Sequence, residues 1–257
     1  YIDIIKKGSS APIRDKKDMT FQRSAAYLCH LTFKGAEKRY GSPLPFEHKE
    51  RLEYELIVIL RRHCPDYFLI VQDLVAAMKA KGVMVGPGRS SVAGSAVCYC
   101  LGITNVEPIE NCLLFERFLN PDQITLPSID LDFENHKEAM AYLKEKYGAD
   151  HVCQVISFAT LGRSSAIKAV SRINHQSIKY GNKLAELASG HPDNYKDLLD
   201  NSTGCEKEIL LYAKGLEKRI HHVSVHACAV VIGREPISDY VPLTRVGVTE
   251  SGEDLIV

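Results

Sequence analysis

Apolar residues recur along this chain at two spacings. From His48 to Arg62, Leu52, Leu56, Ile59 and Leu60 fall three or four apart, and from Tyr67 to Lys81 the residues Phe68, Val71, Leu74, Val75 and Met78 repeat the interval. Such spacing lines one face of an α-helix, so both stretches are predicted helices, with Gly82 placed to close the second. A further helix is predicted between Phe21 and Arg39, within an opening fifty residues broken by Gly8, Pro12, Gly41, Pro43 and Pro45.

The pattern then changes. Val83-Met84-Val85 reads as a short buried strand, Gly86-Pro87-Gly88-Arg89-Ser90-Ser91 as a sharp turn, and Val92 to Leu101 as a helix of small residues. Leu113 to Leu119 is a compact apolar segment. Pro121 and Pro127 bracket a loop leading into Ser128-Ile129-Asp130-Leu131-Asp132-Phe133, which alternates strictly and is a predicted strand. His136 to Tyr147 is a predicted helix closed by Gly148, and Val152 to Phe158 a second strand. Helical runs follow (Leu161 to Ile173, Lys183 to Ala188, Glu206 to Arg219), broken by Gly190, Pro192 and Gly204. Ala227 to Ile232 supplies another strand, and Val241 to Val257 a hairpin with turns near Gly247 and Gly252. The fold class expected is α+β, with a helical insertion between strands.

The alternating hexapeptide carries candidate chemistry. On a strand, Ile129, Leu131 and Phe133 face a core while Ser128, Asp130 and Asp132 share the other face, roughly 6.6–7 Å between successive same-face positions. Carboxylates side by side repel unless water screens them or a cation sits between, and hard oxygen ligands with room for water suit Mg²⁺. An edge strand with a solvated acidic face has the same pattern, so the motif needs a partner.

That partner is the turn before Val92. Backbone N–H groups, the Ser90 and Ser91 hydroxyls and the Arg89 guanidinium are donors suited to phosphate oxygens at a helix N-terminus. The spacing is neither that of a P-loop nor of a dinucleotide fingerprint. A turn that reverses the chain, with Ser as an N-cap, has the same composition.

Composition changes the picture little. The 32 basic and 32 acidic residues balance, so a nucleic-acid role cannot come from net charge. Eight cysteines lie scattered, most in apolar runs and with no C-x-x-C pair, which disfavours a disulfide framework or a zinc site and fits a reducing cytosol. No stretch is long and apolar enough to span a membrane. A first residue Tyr1 without Met, and a last residue Val257 inside a predicted strand, lead to the expectation of a piece of a longer protein.

Seven runs together resemble the C-family polymerases, the alpha subunits of bacterial DNA polymerase III. They are Arg51 to Leu56, Asp66 to Val71, Gly86 to Ser95, Leu101 to Thr104, Leu114 to Pro121, Ile129 to Phe133 and His226 to Ile232. The resemblance implies a palm like the polymerase-beta nucleotidyltransferase fold with an inserted helical thumb. Residues 1–159 would be the first part of the palm, 160–221 the thumb-like insertion and 222–257 the palm's second part. It implies that Gly88, Arg89, Ser90 and Ser91 hold the incoming dNTP. Asp130 and Asp132 would bind two Mg²⁺ ions, and Lys168 and Arg172 would contact primer-template DNA. A sliding clamp and other replicase subunits would be met through regions outside this chain, in the cytoplasm, for a protein encoded by a bacterium or a phage.

Two positions depart from the family pattern. Ser128 stands where the first metal-ligand aspartate is usual, and Ser90 where glycine is usual. A hydroxyl is a weaker ligand than a carboxylate, so metal binding should weaken. Bulk at Ser90 would hinder backbone approach to phosphate. A third catalytic aspartate and the fingers are expected beyond Val257, so the fragment alone should not polymerise. A non-catalytic DNA-binding or assembly module, and an untemplated nucleotidyltransferase, are the competing functions. His222 and His226, four apart, invite a metal reading, but the family pattern puts His226 at the start of a buried strand with a structural or DNA-contacting role.

Overall fold

The structure is a computed structural model describing residues 16–122, 127–189, 192–248 and 254–256. The chain forms two compact units that divide between Lys146 and Tyr147. Helices α1 (Lys16–Tyr40), α2 (Phe46–Arg61), α3 (Pro65–Ala80), α4 (Ala96–Cys100) and α5 (His136–Tyr147) come first. The strands β1 (Val152–Thr160) and β2 (Ile220–Ile232) bracket α6 (Arg163–Ile173), α7 (Ile178–Ala188), α8 (Pro192–Asn201) and α9 (Gly204–Leu216). A hairpin of β3 (Arg245–Val248) and β4 (Asp254–Ile256) follows. The mixture is α+β, with helices dominant and two small antiparallel sheets.

In the first unit the apolar stripes of α2 and α3 face one core. Leu52, Leu56, Ile59 and Leu60 of α2 and Phe68, Val71 and Val75 of α3 are buried in it. Phe68, Phe118 and Phe115 meet edge to face at 6.0 and 6.1 Å between ring centroids. Pro65 opens α3, and its end is a Schellman motif. Gly82 sits at φ +77°, its N–H bonds to Lys79 O at 3.1 Å, and the Val83 N–H bonds to Met78 O at 3.0 Å.

A buried carboxylate organises the centre of this unit. Glu55 on α2 has no exposed surface, and its two oxygens accept four hydrogen bonds. Oε1 takes the Arg51 Nε–H at 2.7 Å and the Ala96 N–H at 3.0 Å; Oε2 takes the Ser95 hydroxyl at 2.8 Å and the Val97 N–H at 3.0 Å. Burial raises the Glu55 pKa, and the N–H groups of Val97 and Ala96 and the Arg51 guanidinium pull against that rise. Arg51 also donates through Nη2 to Gly94 O at 2.9 Å and Leu113 O at 3.0 Å. Two separate pieces of chain, Gly94–Val97 and Leu113, thus converge on one turn of α2.

This cluster explains why the predicted helix from Val92 to Leu101 is divided. A 3₁₀ turn covers Ser90–Gly94, Ser95 is extended at φ −98°, ψ 118°, and α4 starts at Ala96. In a continuous helix the Ala96 and Val97 N–H groups would reach back to the carbonyls of Val92 and Ala93. Here they bond to Glu55, and Ser95 caps the new helix by accepting from the Cys98 N–H at 3.1 Å.

The expected strands at Val83–Val85 and Ser128–Phe133 reduce to a single antiparallel bridge between Val85 and Phe133. Two bonds flank it, Gly86 N–H to Asp132 O at 2.9 Å and Glu134 N–H to Met84 O at 3.0 Å. Pro87 has no N–H to extend the ladder, and the chain turns away there. Within the turn, Gly88 lies at φ +132° with Thr104 so close that a Cβ would stand 3.1 Å from its Cγ2. Ser90 lies at φ 54°, a left-handed conformation that favours glycine. The departure at position 90 therefore carries a conformational cost in the backbone as well as added bulk.

In the second unit β1 and β2 pair antiparallel from Val152↔Ile232 to Thr160↔Ile220. Leu161 and the residues Lys218 and Arg219 continue the pairing, with Leu161 N–H to Arg219 O at 2.9 Å and Lys218 N–H to Leu161 O at 2.8 Å. The four helices between share a core that includes Ile167, Val170, Leu184, Tyr195, Ile209 and Leu210. β2 begins before the expected Ala227: its first half has no continuous apolar run, but half-buried Val223 and Val225 alternate with His222, Ser224 and His226, the period of a strand. His226 does not start the strand: it is exposed and opens a bulge in which its Nδ1 accepts from the Cys228 and Ala229 N–H groups at 3.2 and 3.1 Å. Gly247 lies within β3. The expected breaks at Gly190 and Gly252 and the middle of the loop between Pro121 and Pro127 lie outside the described residues.

Two substitutions check this frame by urea denaturation. Glu55→Ala should cost about 3–5 kcal/mol, because it removes the counter-charge and Nε–H acceptor of Arg51 and leaves two buried N–H groups unpaired. Ser90→Gly should leave stability unchanged or raise it by up to about 1 kcal/mol, because it relieves a left-handed Cβ.

Candidate functional site

The segment after Pro127 keeps the expected alternation without a full ladder. Ile129, Leu131 and Phe133 pack against the first unit's core, while Ser128, Asp130 and Asp132 are exposed. The Tyr67 hydroxyl, on α3, accepts the Ile129 N–H at 3.0 Å and pins the segment's start. Burial raises the Tyr67 pKa, and the neighbouring Asp130 charge adds to the rise. At the other end Glu134 Oε2 accepts the Met84 N–H at 3.3 Å. Apolar anchoring and these polar ties hold the carboxylates outward.

Gly86 through Ser91 lies beside the same segment. The Arg89 Nη1 donates to Asp132 Oδ1 at 3.0 Å, an ion pair whose side chains are 60% and 63% exposed. Gly86 lets the backbones approach, since a Cβ there would stand 3.2 Å from the Asp132 Cβ. The turn rests on a shelf at Thr104 and Asn105: the Asn105 N–H bonds to Pro87 O at 2.6 Å. Arg39 holds the shelf from beneath, donating to Thr104 O and Asn105 Oδ1, each at 3.3 Å, with its guanidinium 3.9 Å above the Tyr99 ring. Arg89 and Ser90 are exposed and Ser91 is partly so. The structure thus sets the Gly86–Ser91 turn beside the carboxylate segment, joined through Arg89 and Asp132; Gly88, Ser90 and Ser91 lie on the one piece and Ser128 and Asp130 on the other.

The two pieces offer oxygen ligands on one side and phosphate donors on the other. Ser128 Oγ donates to Asp130 Oδ1 at 3.3 Å, so its lone pairs remain available. Asp130 and Asp132, with water, fit a hard, partly hydrated cation such as Mg²⁺. They do not fit an ion enclosed by protein, because among the described residues no group of three or more His, Cys, Asp or Glu could hold one. Cys29, Cys64, Cys98, Cys100 and Cys153 are free and buried; burial pushes the Cys29 and Cys64 thiols up to about 11 and Cys100 to about 12, which makes them poor ligands.

Lys168 and Arg172 belong to the second unit, exposed one turn apart on α6. At the start of the same helix Gly162-Arg163-Ser164-Ser165 repeats the tetrapeptide of the first unit's turn, and with Ser189 and Glu217 it lines a cleft of about 310 Å³. Its role differs: the Arg163 guanidinium lies 4.7 Å from the Tyr195 ring centroid, with Nε 3.5 Å from Glu217, and is held within the fold. Sequence reasoning missed this repeat, although the two identical tetrapeptides are a visible signal. It also gave no role to Glu55, Tyr67 or Glu134. Glu134 continues the i, i+2 face of Asp130 and Asp132, a signal that could have been read; of the partners of Glu55, Arg51 stands four residues away on the same helix, a local signal, while Ser95, Ala96 and Val97 lie about forty residues away and left none.

Comparison with known proteins identifies relatives over most of the chain. The family model described as the bacterial DNA polymerase III alpha NTPase domain matches residues 26–256. DNA polymerase III subunit alpha of Bacillus subtilis (strain 168) is 40% identical over 229 residues, covering 84% of this chain and 20% of the relative. That of Thermus aquaticus is 41% identical over 209 residues (76% and 17%), and that of Mycobacterium tuberculosis (strain ATCC 25618 / H37Rv) 36% over 258 residues (91% and 21%). The chain spans about a fifth of the length of these curated relatives. With a family match over residues 26–256, most of its length, the chain belongs to the bacterial DNA polymerase III alpha family.

Proposed function

We propose that this chain is a catalytic-core segment of a DNA-directed DNA polymerase, and that its first unit carries part of the site where a dNTP meets divalent metal. The observation that supports this most is the 3.0 Å contact between Arg89 of the Gly/Ser turn and Asp132 of the carboxylate segment. It supports a reading in which phosphate donors and metal-type ligands serve one bound molecule.

In this reading the Arg89 guanidinium and the backbone and hydroxyls of Ser90 and Ser91 bind the triphosphate. Gly88, with no side chain, leaves room for it. Asp130 is the principal ligand for Mg²⁺, with Asp132 beside it, and the bound metal would supply charge neutralisation and activation of the primer 3′-hydroxyl. Tyr67 and Glu134 keep the segment at fixed distance from the turn, which is the positioning that nucleotidyl transfer needs. The first unit and the β1–β2 pair would belong to a palm of polymerase-beta type, and the helices α6 to α9 to a thumb whose Lys168 and Arg172 meet DNA phosphates. A sliding clamp and further replicase subunits would be partners of the longer protein, in the cytoplasm.

One observation favours a second reading. Ser128 presents a hydroxyl that hydrogen-bonds to Asp130, where a third carboxylate on this face would add charge for a second metal. A protein with one weakened metal position would bind primed DNA and add nucleotides poorly or not at all.

Three measurements separate these readings. In manganese titrations followed by electron paramagnetic resonance, Asp130→Asn should abolish the bound ion. Ser128→Asp should tighten it several-fold, since it adds a carboxylate. In the full-length subunit carrying this sequence, primer extension should be lost with Asp130→Asn; extension that survives that change contradicts the catalytic reading. In anisotropy titrations with primed DNA, replacing Lys168 and Arg172 with Ala should weaken binding and lower the slope of log K against log salt by about 1 for each phosphate left without its cation.

A further inference from the structure

The Arg89–Asp132 pair has a consequence for how the turn takes an anion. The guanidinium that would receive phosphate is already engaged. Among the described residues its polar contact is the single 3.0 Å bond from Nη1 to Asp132 Oδ1. Both side chains are more than half exposed, so the pair is held in place weakly, as surface ion pairs are. Asp132 cannot easily leave the turn, because its backbone carbonyl accepts the Gly86 N–H at 2.9 Å and its neighbours Leu131 and Phe133 are packed against the core. A bulkier residue at position 86 would strike the Asp132 side chain, and glycine there allows the carboxylate to stand over the turn. The carboxylate is thus fixed at its base and the guanidinium is the mobile partner.

We propose that Asp132 is the resident counter-ion of Arg89, and that a polyphosphate binds this turn by exchange, displacing the Asp132 carboxylate from the guanidinium. This rests on the reading of the turn as a phosphate site and adds to it how that site is regulated. Without divalent metal, Asp132 competes with the anion for Arg89. A cation drawn to Asp132 removes the competitor, so metal arrival and anion arrival are coupled through one side chain. Asp130, bonded to Ser128 rather than to Arg89, has no such part.

The test is calorimetric titration of the 257-residue chain with inorganic tripolyphosphate in the presence of EDTA, which removes metal from the comparison. Asp132→Asn should bind about two- to five-fold more tightly than the unaltered chain, the range that an exposed ion pair implies. Asp130→Asn removes the same charge two residues away and should tighten binding less. Arg89→Gln should weaken binding, and Asp132→Asn added to it should bring no more gain than Asp130→Asn added to it. Circular dichroism of each variant confirms the fold. If Asp132→Asn gains no affinity, gains only what Asp130→Asn gains, or gains as much in the Arg89→Gln background, the exchange is overturned while the phosphate reading stands. If neither the unaltered chain nor Asp132→Asn binds tripolyphosphate at all, the phosphate reading fails and the exchange with it.

Discussion

The first unit depends on one buried carboxylate. Glu55 is enclosed by α2, the 3₁₀ turn and the start of α4, and each lone pair facing its surroundings is met by a donor. A charge in that position is costly unless it is paired and hydrogen-bonded, and the Arg51 guanidinium, two backbone N–H groups and a hydroxyl meet the requirement. The return is positional. The N–H groups of Ala96 and Val97 are fixed in space, so α4 begins at one place and the preceding residues, Ser90 to Gly94, wind into a short 3₁₀ turn. Arg51 reaches past Glu55 to the carbonyls of Gly94 and Leu113 and closes the other side.

Everything exposed in the candidate site hangs from that buried frame. The turn bearing Gly88 to Ser91 leads directly into the 3₁₀ segment held by Glu55. The carboxylate segment is attached through its alternate residues, Ile129, Leu131 and Phe133, on the same core. The two pieces touch through one backbone bridge, the Met84–Glu134 hydrogen bond and one ion pair, a light connection between two firmly anchored parts. Charge can therefore rearrange at the surface without repacking beneath it. The two Gly-Arg-Ser-Ser copies make the same point from the opposite side. Arg89, with only Asp132 as a polar partner among the described residues, faces solvent, whereas Arg163 is taken up by Glu217 and the Tyr195 ring.

Much of this was legible in the sequence where the signal is local. The stripes of α2 and α3, the Gly82 cap, the extent of α5 and the inward set of Ile129, Leu131 and Phe133 follow from spacing alone. The pairing of the Gly/Ser turn with Asp130 and Asp132 was expected from the complementary chemistry of the two motifs and from family resemblance, since nothing in the intervening forty residues fixes it. What spacing could not show is long-range. The division of the Val92–Leu101 run comes from Glu55, far back in the chain, and the strands at Val83 and Ser128 shrink to one bridge because a proline and a turn end the ladder. The positive φ of Ser90 is legible only as an exception, a serine where a left-handed turn favours glycine.

The central claim is that the Gly/Ser turn and the carboxylate segment form a single site for metal and phosphate. Paramagnetic broadening of backbone amide resonances by Mn²⁺ tests it most directly. The account predicts that substoichiometric Mn²⁺ broadens the amides of 86, 88–91 and 128–134 together, and that Asp130→Asn removes both effects. Broadening confined to the carboxylate segment, or centred on residues outside the first unit, would contradict it.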